Sequence, residues 1–206
     1  MIHPPALSRR ELLTRLGMAG AAALALPAFD RVLAFQRQAV AAAAGVLSAA
    51  DAATLAAVCA RIIPTDENGP GAAEARASAY IDRALGGWLA PSREEYTAGL
   101  AAIEDAARAR GATRFADLAP ADQDAVLQAI DETPFFALVR THTIQGTFCD
   151  PAYGGNANFV GWDLIGYPGV RLNVTAADQR MGTPPKPIRR SAYDYAMFAT
   201  GTAHAH

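Results

Sequence analysis

A histidine and a cysteine in the second half of the chain have the residue types and spacing of a reactive pair. His142 and Cys149 lie seven residues apart, and Asp150 follows the cysteine directly. An imidazole beside a thiol is the arrangement of a Cys-His nucleophile, and all three side chains are also metal ligands. His142 shares an apolar face with Phe135 and Val139, where a histidine is more often a hydrogen-bonded core residue. We therefore expect a structural His142, with a small metal- or thiol-dependent enzyme as the alternative.

The sequence lacks the motifs that hold common redox cofactors. The glycine pairs Gly86-Gly87 and Gly154-Gly155 do not have the G-x-G-x-x-G spacing that binds a dinucleotide after a strand. Cys59 and Cys149 lie 90 residues apart. They can form neither the C-x-x-C-H motif of a c-type haem nor the cysteine set of an iron–sulfur cluster. We expect no catalytic, cofactor-binding or metal-binding residues in this chain.

The two cysteines are open to three interpretations. Cys59 lies on the apolar face of a predicted helix, and Cys149 lies at a helix end shortly before a proline. In an oxidising compartment, where disulfides persist, Cys59 and Cys149 can pair with each other, or Cys149 can pair with a partner chain. The third interpretation is that both are buried thiols, and the sequence does not choose among the three.

Hydrophobic periodicity predicts an all-α body of about five helices, and no stretch alternates apolar and polar residues over a length that suggests a sheet. Ser48, Ser92 and Thr133 have the residue types and positions of helix N-caps, and Pro134 follows at a first helical position. Gly146 is the expected end of the fifth helix. The apolar positions of the predicted helices are Leu55 to Ile63, Ala79 to Leu85, Tyr96 to Ala107, Val126 to Ile130 and Phe135 to Gln145.

Composition divides the chain into three parts. We expect an export segment at residues 1–34, a helical domain at residues 35–145, and, at residues 146–206, a Gly- and aromatic-rich loop with an extended tail that packs on the domain and on a partner. Three prolines within residues 184–187 favour the extended tail. With 206 residues, of which 51% are hydrophobic, the chain suits one domain with one core. The net charge of −2 without a basic block argues against a nucleic-acid partner.

The N-terminus has the pattern of a twin-arginine export signal. Arg9 and Arg10 are followed by Leu12 and Leu13, and a run of 14 mostly apolar residues extends from Leu16 to Phe29. Spanning a bilayer takes about 20 apolar residues, so no stable membrane span is expected. We expect periplasmic export by the twin-arginine pathway. That pathway carries proteins already folded, usually around a cofactor, so the signal prompts a search for a cofactor site in this chain.

Residues 146–170 read GTFCDPAYGGNANFVGWDLIGYPGV and hold six of the 17 glycines together with five aromatic residues. Aromatic side chains carry a large apolar area that is stabilising only when buried, so the loop is expected to pack against something. It either contacts a partner or caps the chain's own helices. Both hold if Trp162 faces inward and Tyr153 outward. A third reading is a sugar- or polyphenol-binding module that uses Trp88 and Trp162 as stacking platforms.

Three stretches of the chain resemble the gluconate 2-dehydrogenase subunit 3 family. They are RIIPTDENGPGA at 61–72, YIDRAL at 80–85 and GTFCDPAYGGNANFVGWDLIGYPG at 146–169, and the similarity spans roughly residues 8–175. The GG-N-x-x-x-x-GW-x-x-IG-[FY]-PG core, at 154–169, is its most specific part.

The resemblance implies a small non-catalytic subunit of a periplasmic flavin-dependent sugar or sugar-acid dehydrogenase. In that family FAD lies in a large subunit of the glucose-methanol-choline oxidoreductase type, and a cytochrome c often accepts the electrons. The expected role is to stabilise the large subunit and carry it through twin-arginine export. The expected interface residues are Phe148, Cys149, Tyr153, Asn156, Phe159, Trp162, Tyr167 and Pro168.

Overall fold

The computed structural model describes residues 45–176, 178–180, 182 and 185–199. Within these ranges the chain forms seven α-helices and no strand, which confirms the all-α prediction. The expected export residues Arg9, Arg10, Leu12 and Leu13 lie outside the described residues. The helices are α1 (Ala49–Ile62), α2 (Ala77–Leu85), α3 (Arg93–Ala109), α4 (Pro120–Gln128), α5 (Pro134–Phe148), α6 (Val160–Leu164) and α7 (Ala196–Ala199).

Two of the three predicted N-caps are confirmed. The Ser48 hydroxyl accepts a hydrogen bond from the Asp51 amide at 3.1 Å, and the Thr133 hydroxyl accepts one from Phe136 at 3.2 Å. Each satisfies one of the amides that a helix leaves unpaired in its first turn. Ser92 also occupies the predicted N-cap position of α3, but its side chain makes no capping hydrogen bond; it is the last residue of a 3-10 turn, Ala90–Ser92, that runs directly into the helix.

The fifth helix was predicted to end at Gly146 but continues to Phe148. Gly146 is buried where α5 packs on α2. A Cβ at this position would lie 2.8 Å from Cδ1 of Tyr80 and 3.0 Å from the Ala77 Cα. The glycine is therefore a close-packing residue between two helices and not a stop. Gln145, expected on the inner face, is exposed instead.

The core lies among α1 to α5. Two threonines on the inner face of α5 are buried without penalty, because Thr143 donates to the Val139 carbonyl at 2.7 Å and Thr147 to the Thr143 carbonyl at 2.8 Å. Full burial of a Leu, Ile or Phe side chain contributes roughly 1.5–3 kcal/mol. The largest side chains with essentially no exposure are Tyr96, Phe115, Leu55, Ile81, Leu85, Leu100 and Ile103.

After α5 the chain turns back and covers the C-terminal end of that helix. Two 3-10 turns, Pro151–Tyr153 and Ala157–Phe159, lead into the short helix α6. Along the described part of the chain, no helix has the length and apolar character needed to cross a membrane.

Candidate partner interface

Two glycines of the loop let its backbone lie directly on the last turns of α5. A Cβ at Gly155 would overlap the Gly146 carbonyl, and a Cβ at Gly161 would overlap the Thr147 carbonyl. No larger residue fits at either position unless the backbone moves. The spacing of these glycines therefore fixes how closely the loop and α6 approach α5.

Asn156 joins the end of α5 to the start of α6. Its side chain is fully buried, its Nδ2 donates to the Cys149 carbonyl at 2.8 Å, and its Oδ1 accepts from the Gly161 amide at 2.8 Å. Its own amide donates to the Gly146 carbonyl at 2.8 Å. Helix ends leave carbonyls and amides without intrahelical partners, and Asn156 supplies partners at both ends.

Trp162 performs the same task beside it. The indole is 6% exposed, and its Nε1 donates to the Phe148 carbonyl at 3.0 Å. Its ring meets Tyr167 edge to face, with centroids 4.9 Å apart, and lies 5.3 Å from the Phe159 ring. The most specific residues of the motif thus hold the loop onto the chain's own helix.

The backbone between Asn156 and α6 is strained. Three of its residues have positive φ angles: Asn156 at 45°, Asn158 at 55° and Phe159 at 63°. Asparagine tolerates the left-handed region, but a bulky aromatic residue there is an outlier. Packing of the Phe159 ring on Trp162 offsets part of that cost.

The outer side of the loop presents apolar side chains to solvent. Tyr153 is 50% exposed and Ile165 is 58% exposed, and Tyr167 is also exposed. Tyr153 borders an open apolar cavity of about 480 Å³ lined by Tyr80, Trp88, Ile144, Gln145, Phe148, Cys149 and Tyr153. A second cavity of about 390 Å³ is lined by Phe148, Asp150, Trp162, Ile165, Tyr167 and Val170.

Phe148 lines both cavities, so they form one continuous apolar region at the C-terminal end of α5. We call it the aromatic surface. Trp88 follows α2 closely in the chain and lies at the edge of the aromatic surface, where its side chain is 54% exposed. The aromatic surface consists of Trp88, Ile144, Phe148, Tyr153, Ile165 and Tyr167.

The eight residues expected at the interface fall into three groups. Asn156 and Trp162 are buried within the chain, whereas Tyr153 and Tyr167 are exposed. This is the mixed arrangement expected from the sequence, with Trp162 inward and Tyr153 outward. Contact with a partner stays a prediction for all eight. The half-buried members are Phe148, Cys149, Phe159 and Pro168.

Sequence reasoning missed two aliphatic members of the aromatic surface. Ile144 was outside the predicted apolar face of α5 because that face was drawn through Gln145. Ile144 shares a polar face of α5 with Arg140 and Thr141. An isolated isoleucine on a polar face is the sequence signal that could have indicated an exposed apolar contact. Ile165 lies inside the motif but was not among the predicted interface residues, which were chosen mainly for their aromatic side chains.

His142 is a hydrogen-bonded core residue, as expected. It is buried, and its Nδ1 lies 2.9 Å from the Tyr96 hydroxyl. Its ring stacks on Tyr96 at 5.9 Å and 11° and meets the Trp88 edge at 6.0 Å and 80°. Burial lowers the pKa of His142, so the ring is neutral at pH 7. The imidazole thus supports the wall of the aromatic surface.

The thiol of Cys149 does not have the environment of a nucleophile. Its Sγ lies 3.7 Å from the Gly146 carbonyl, and burial raises its pKa. A reactive cysteine has a lowered pKa and a positive or basic neighbour. Among the residues that the structure describes, no group of three or more His, Cys, Asp or Glu side chains is placed to hold a metal ion. The geometry therefore gives no support to the enzyme alternative.

Both cysteines are free thiols with separate surroundings. Cys59 is buried in the core, where Thr143 donates to its sulfur at 3.3 Å and burial raises its pKa to about 12. Cys149 is half-buried at the aromatic surface. A bridge between the two stays a prediction that counting alkylated thiols in the exported protein tests.

Comparison with protein families matches residues 49–169 to gluconate 2-dehydrogenase subunit 3. The matched range begins at the first residue of α1 and ends at Gly169, so it includes the five core helices, the loop and α6. The chain belongs to the gluconate 2-dehydrogenase subunit 3 family. Comparisons with curated proteins and with solved structures found no match.

Proposed function

We propose that this chain is the small accessory subunit of an FAD-dependent sugar or sugar-acid dehydrogenase, and that catalysis belongs to a larger flavoprotein subunit. The family to which the chain belongs is described as a subunit of gluconate 2-dehydrogenase. A subunit needs a surface for its partner, and the aromatic surface supplies one. The role is to bind and stabilise the flavoprotein, with electrons passing from FAD to a cytochrome c.

The observation that carries this proposal is the division of the loop into two sides. Its inner residues, Asn156 and Trp162, already satisfy the end of α5 and bury themselves in doing so. Its outer residues, Tyr153, Ile165 and Tyr167, gain nothing from exposure to water. Apolar patches of this kind mark protein contacts, and Trp and Tyr are the residue types that dominate binding energy.

Binding by this surface would stabilise the large subunit by mass action. A ligand present at a hundred times its dissociation constant raises the stability of the folded state by about 2.7 kcal/mol. This chain would gain in the same way, because the partner would cover the exposed indole of Trp88 and the aliphatic side chains around it.

Co-purification tests the proposal directly. The full chain, tagged after His206, is recovered from the periplasm of its native host, and the eluate is examined for flavin absorbance and by mass spectrometry. We expect a yellow complex that contains a large flavoprotein. A colourless chain recovered alone would overturn the accessory role.

The proposal extends to export. Arg9 and Arg10 would direct both subunits through the twin-arginine pathway, since the folded flavoprotein travels bound to this chain. Replacing both arginines by lysine is expected to leave both subunits in the cytoplasm, measured by fractionation and immunoblotting. Continued export of the large subunit alongside the lysine variant would refute the carrier role. The complex itself should still form in the cytoplasm, which separates export from binding.

A further inference from the structure

A C-terminal segment beyond the family match lies across the loop. We call residues 185–199 the strap. The Ile188 amide donates to the Pro168 carbonyl at 2.8 Å, and the Tyr195 hydroxyl donates to the Val170 carbonyl at 2.9 Å. Gly169 makes room for this contact, because a Cβ there would overlap the Ile188 carbonyl. The family match ends at residue 169, so the strap is an addition to the matched region.

Asp150 holds the middle of the strap. Its Oδ1 accepts from the Ser191 hydroxyl at 2.6 Å, and its Oδ2 accepts from the Ala192 amide at 2.8 Å. The Ala152 amide donates to the same carboxylate at 2.9 Å. Ser191 is buried at this contact. Hydrogen bonds to an ionised acceptor are about twice as strong as neutral ones, so this polar contact fixes the strap beside the loop.

One strap residue continues the aromatic surface. The hydroxyl oxygens of Tyr193 and Tyr153 lie 2.6 Å apart, and their rings meet at 90° with centroids separated by 5.8 Å. This hydrogen bond, assisted by partial burial, raises the pKa of Tyr153 to about 12. The Tyr153 phenol therefore remains neutral across the physiological range. Tyr193 extends the apolar region past Tyr153 and onto the strap.

The strap turns its polar contacts inward and its largest apolar side chains outward. Ser191 and the hydroxyl of Tyr195 make polar contacts to the preceding chain, whereas Met197 is 64% exposed and Phe198 is also exposed. A segment that served only to cover the chain's own core would have the opposite arrangement. The exposed side chains are explained if a second protein covers them.

The charges of the strap limit the kind of partner that fits. Lys186, Arg189 and Arg190 are cationic, and Asp194 is the one acid within residues 185–199. Arg189 is paired with Asp163 at 2.6 Å, and Arg190 lies over the Tyr195 ring at 4.2 Å from its centroid. A complementary surface is apolar in the centre with carboxylates at its edge.

We propose that the strap is a second binding element for the flavoprotein large subunit, which it contacts through Tyr193, Met197 and Phe198. This inference rests on the proposed accessory function. The large subunit would cover the aromatic surface and the outer side of the strap together, over one continuous apolar area. Asp150 would act as a positioning residue, because its two hydrogen bonds place the strap beside the loop.

The test compares three forms of the full chain for binding to the large subunit that co-purifies with the wild-type protein. The first form is wild type, and the second carries Met197→Ser and Phe198→Ser, which leave the Asp150 contacts unchanged. The third carries Leu172→Ser, a control in which an exposed leucine outside the aromatic surface and the strap is replaced. Dissociation constants are measured by titration at low and high salt, and melting temperatures are recorded in parallel.

We expect the double variant to bind roughly tenfold or more weakly, with an unchanged melting temperature, and the Leu172 variant to bind as wild type does. Equal binding by wild type and the double variant would overturn the strap inference and leave the accessory function standing. Tighter binding by the double variant would also overturn it, because the strap would then obstruct the interface. Failure of wild type to bind any flavoprotein would overturn both proposals.

Discussion

At the scale of single residues, Asn156 is the most informative side chain of the loop. It pairs a carbonyl at the end of α5 with an amide at the start of α6, and it is completely buried. Sequence reasoning placed it at a partner interface because it belongs to the most specific motif. In the structure this motif residue ties the loop to the end of α5, and its contact with a partner stays a prediction.

Replacing Asn156 by alanine is expected to leave the Cys149 carbonyl and the Gly161 amide buried without partners. Each such group costs about 1–3 kcal/mol. Asn158→Ala is the matched control, because Asn158 also has a positive φ but is exposed, so the backbone strain of the substitution cancels. We expect Asn156→Ala to melt at least about 4 °C below Asn158→Ala. Equal melting temperatures in a thermal scan would show that the two hydrogen bonds contribute nothing to stability.

His142 predicts a specific loss of stability in weak acid. Burial lowers its pKa below the ordinary value of 6.5. The unfolded chain therefore takes up a proton as the pH falls through 6.5, while the folded chain does not, and the free energy of unfolding decreases. The decrease ends once the pH is below the folded-state pKa. The negative charge of Glu95 raises the pKa of His142 and so offsets part of the effect of burial.

The measurement is the melting temperature of wild type and His142→Asn between about pH 7.5 and about pH 5.5. We expect wild type to lose stability over this range and the variant to show a flatter curve. Asp124 also has a shifted pKa, but its contribution to stability is lost in a different pH range from that of His142. Arg61 holds its pKa below 3.8, so its contribution is present above that pH and disappears only in stronger acid. Parallel curves for the two proteins would contradict the assignment of the loss to His142.

At the scale of elements, the contact between α6 and α5 depends on one glycine. A Cβ at Gly161 would overlap the Thr147 carbonyl, which belongs to the helix backbone and cannot rotate away. Gly161→Ala must therefore displace α6, and Trp162 would lose its hydrogen bond to Phe148 as a result.

We expect Gly161→Ala to destabilise the fold by about 1–3 kcal/mol, the range for overpacking, in spite of the better helix propensity of alanine. Gly87→Ala is the control, since a Cβ there would meet its nearest neighbour at 3.8 Å, an ordinary contact. Chemical denaturation of both variants measures the difference. A Gly161→Ala protein as stable as Gly87→Ala would mean that α6 does not pack on α5 as described.

The helices themselves were largely readable from the sequence, because they depend on local signals. Ser48 and Thr133 marked two starts, and apolar positions such as Leu100 and Ile103 marked the inner face of α3. Gly146 and Gln145 were misassigned because their environment is set by α2, which is distant in sequence. An extended tail that packs on the domain was expected, but its anchoring at Asp150 was not, because Asp150 and Ser191 are separated by 41 residues and no periodicity links them.

At the scale of the whole molecule, the chain has a helical core buried among its own helices and an apolar region that none of the described residues covers. Trp88, from the turn after α2, and Ile144, from α5, meet the loop at the end of the core. The family match accounts for this body up to residue 169. Our central claim is that the aromatic surface binds the flavoprotein. The inner residues Asn156 and Trp162 hold the loop on α5.

The dissociation constant of the complex with Trp88→Ala tests that claim most directly. Trp88 is more than half exposed, and its ring also packs on His142 and Tyr80, so the melting temperature of the variant is recorded beside its dissociation constant. We expect binding to weaken by about 2 kcal/mol, or about thirtyfold, whereas Leu172→Ala binds as wild type does. A Trp88→Ala protein that stays folded and binds the flavoprotein with an unchanged dissociation constant would contradict the claim.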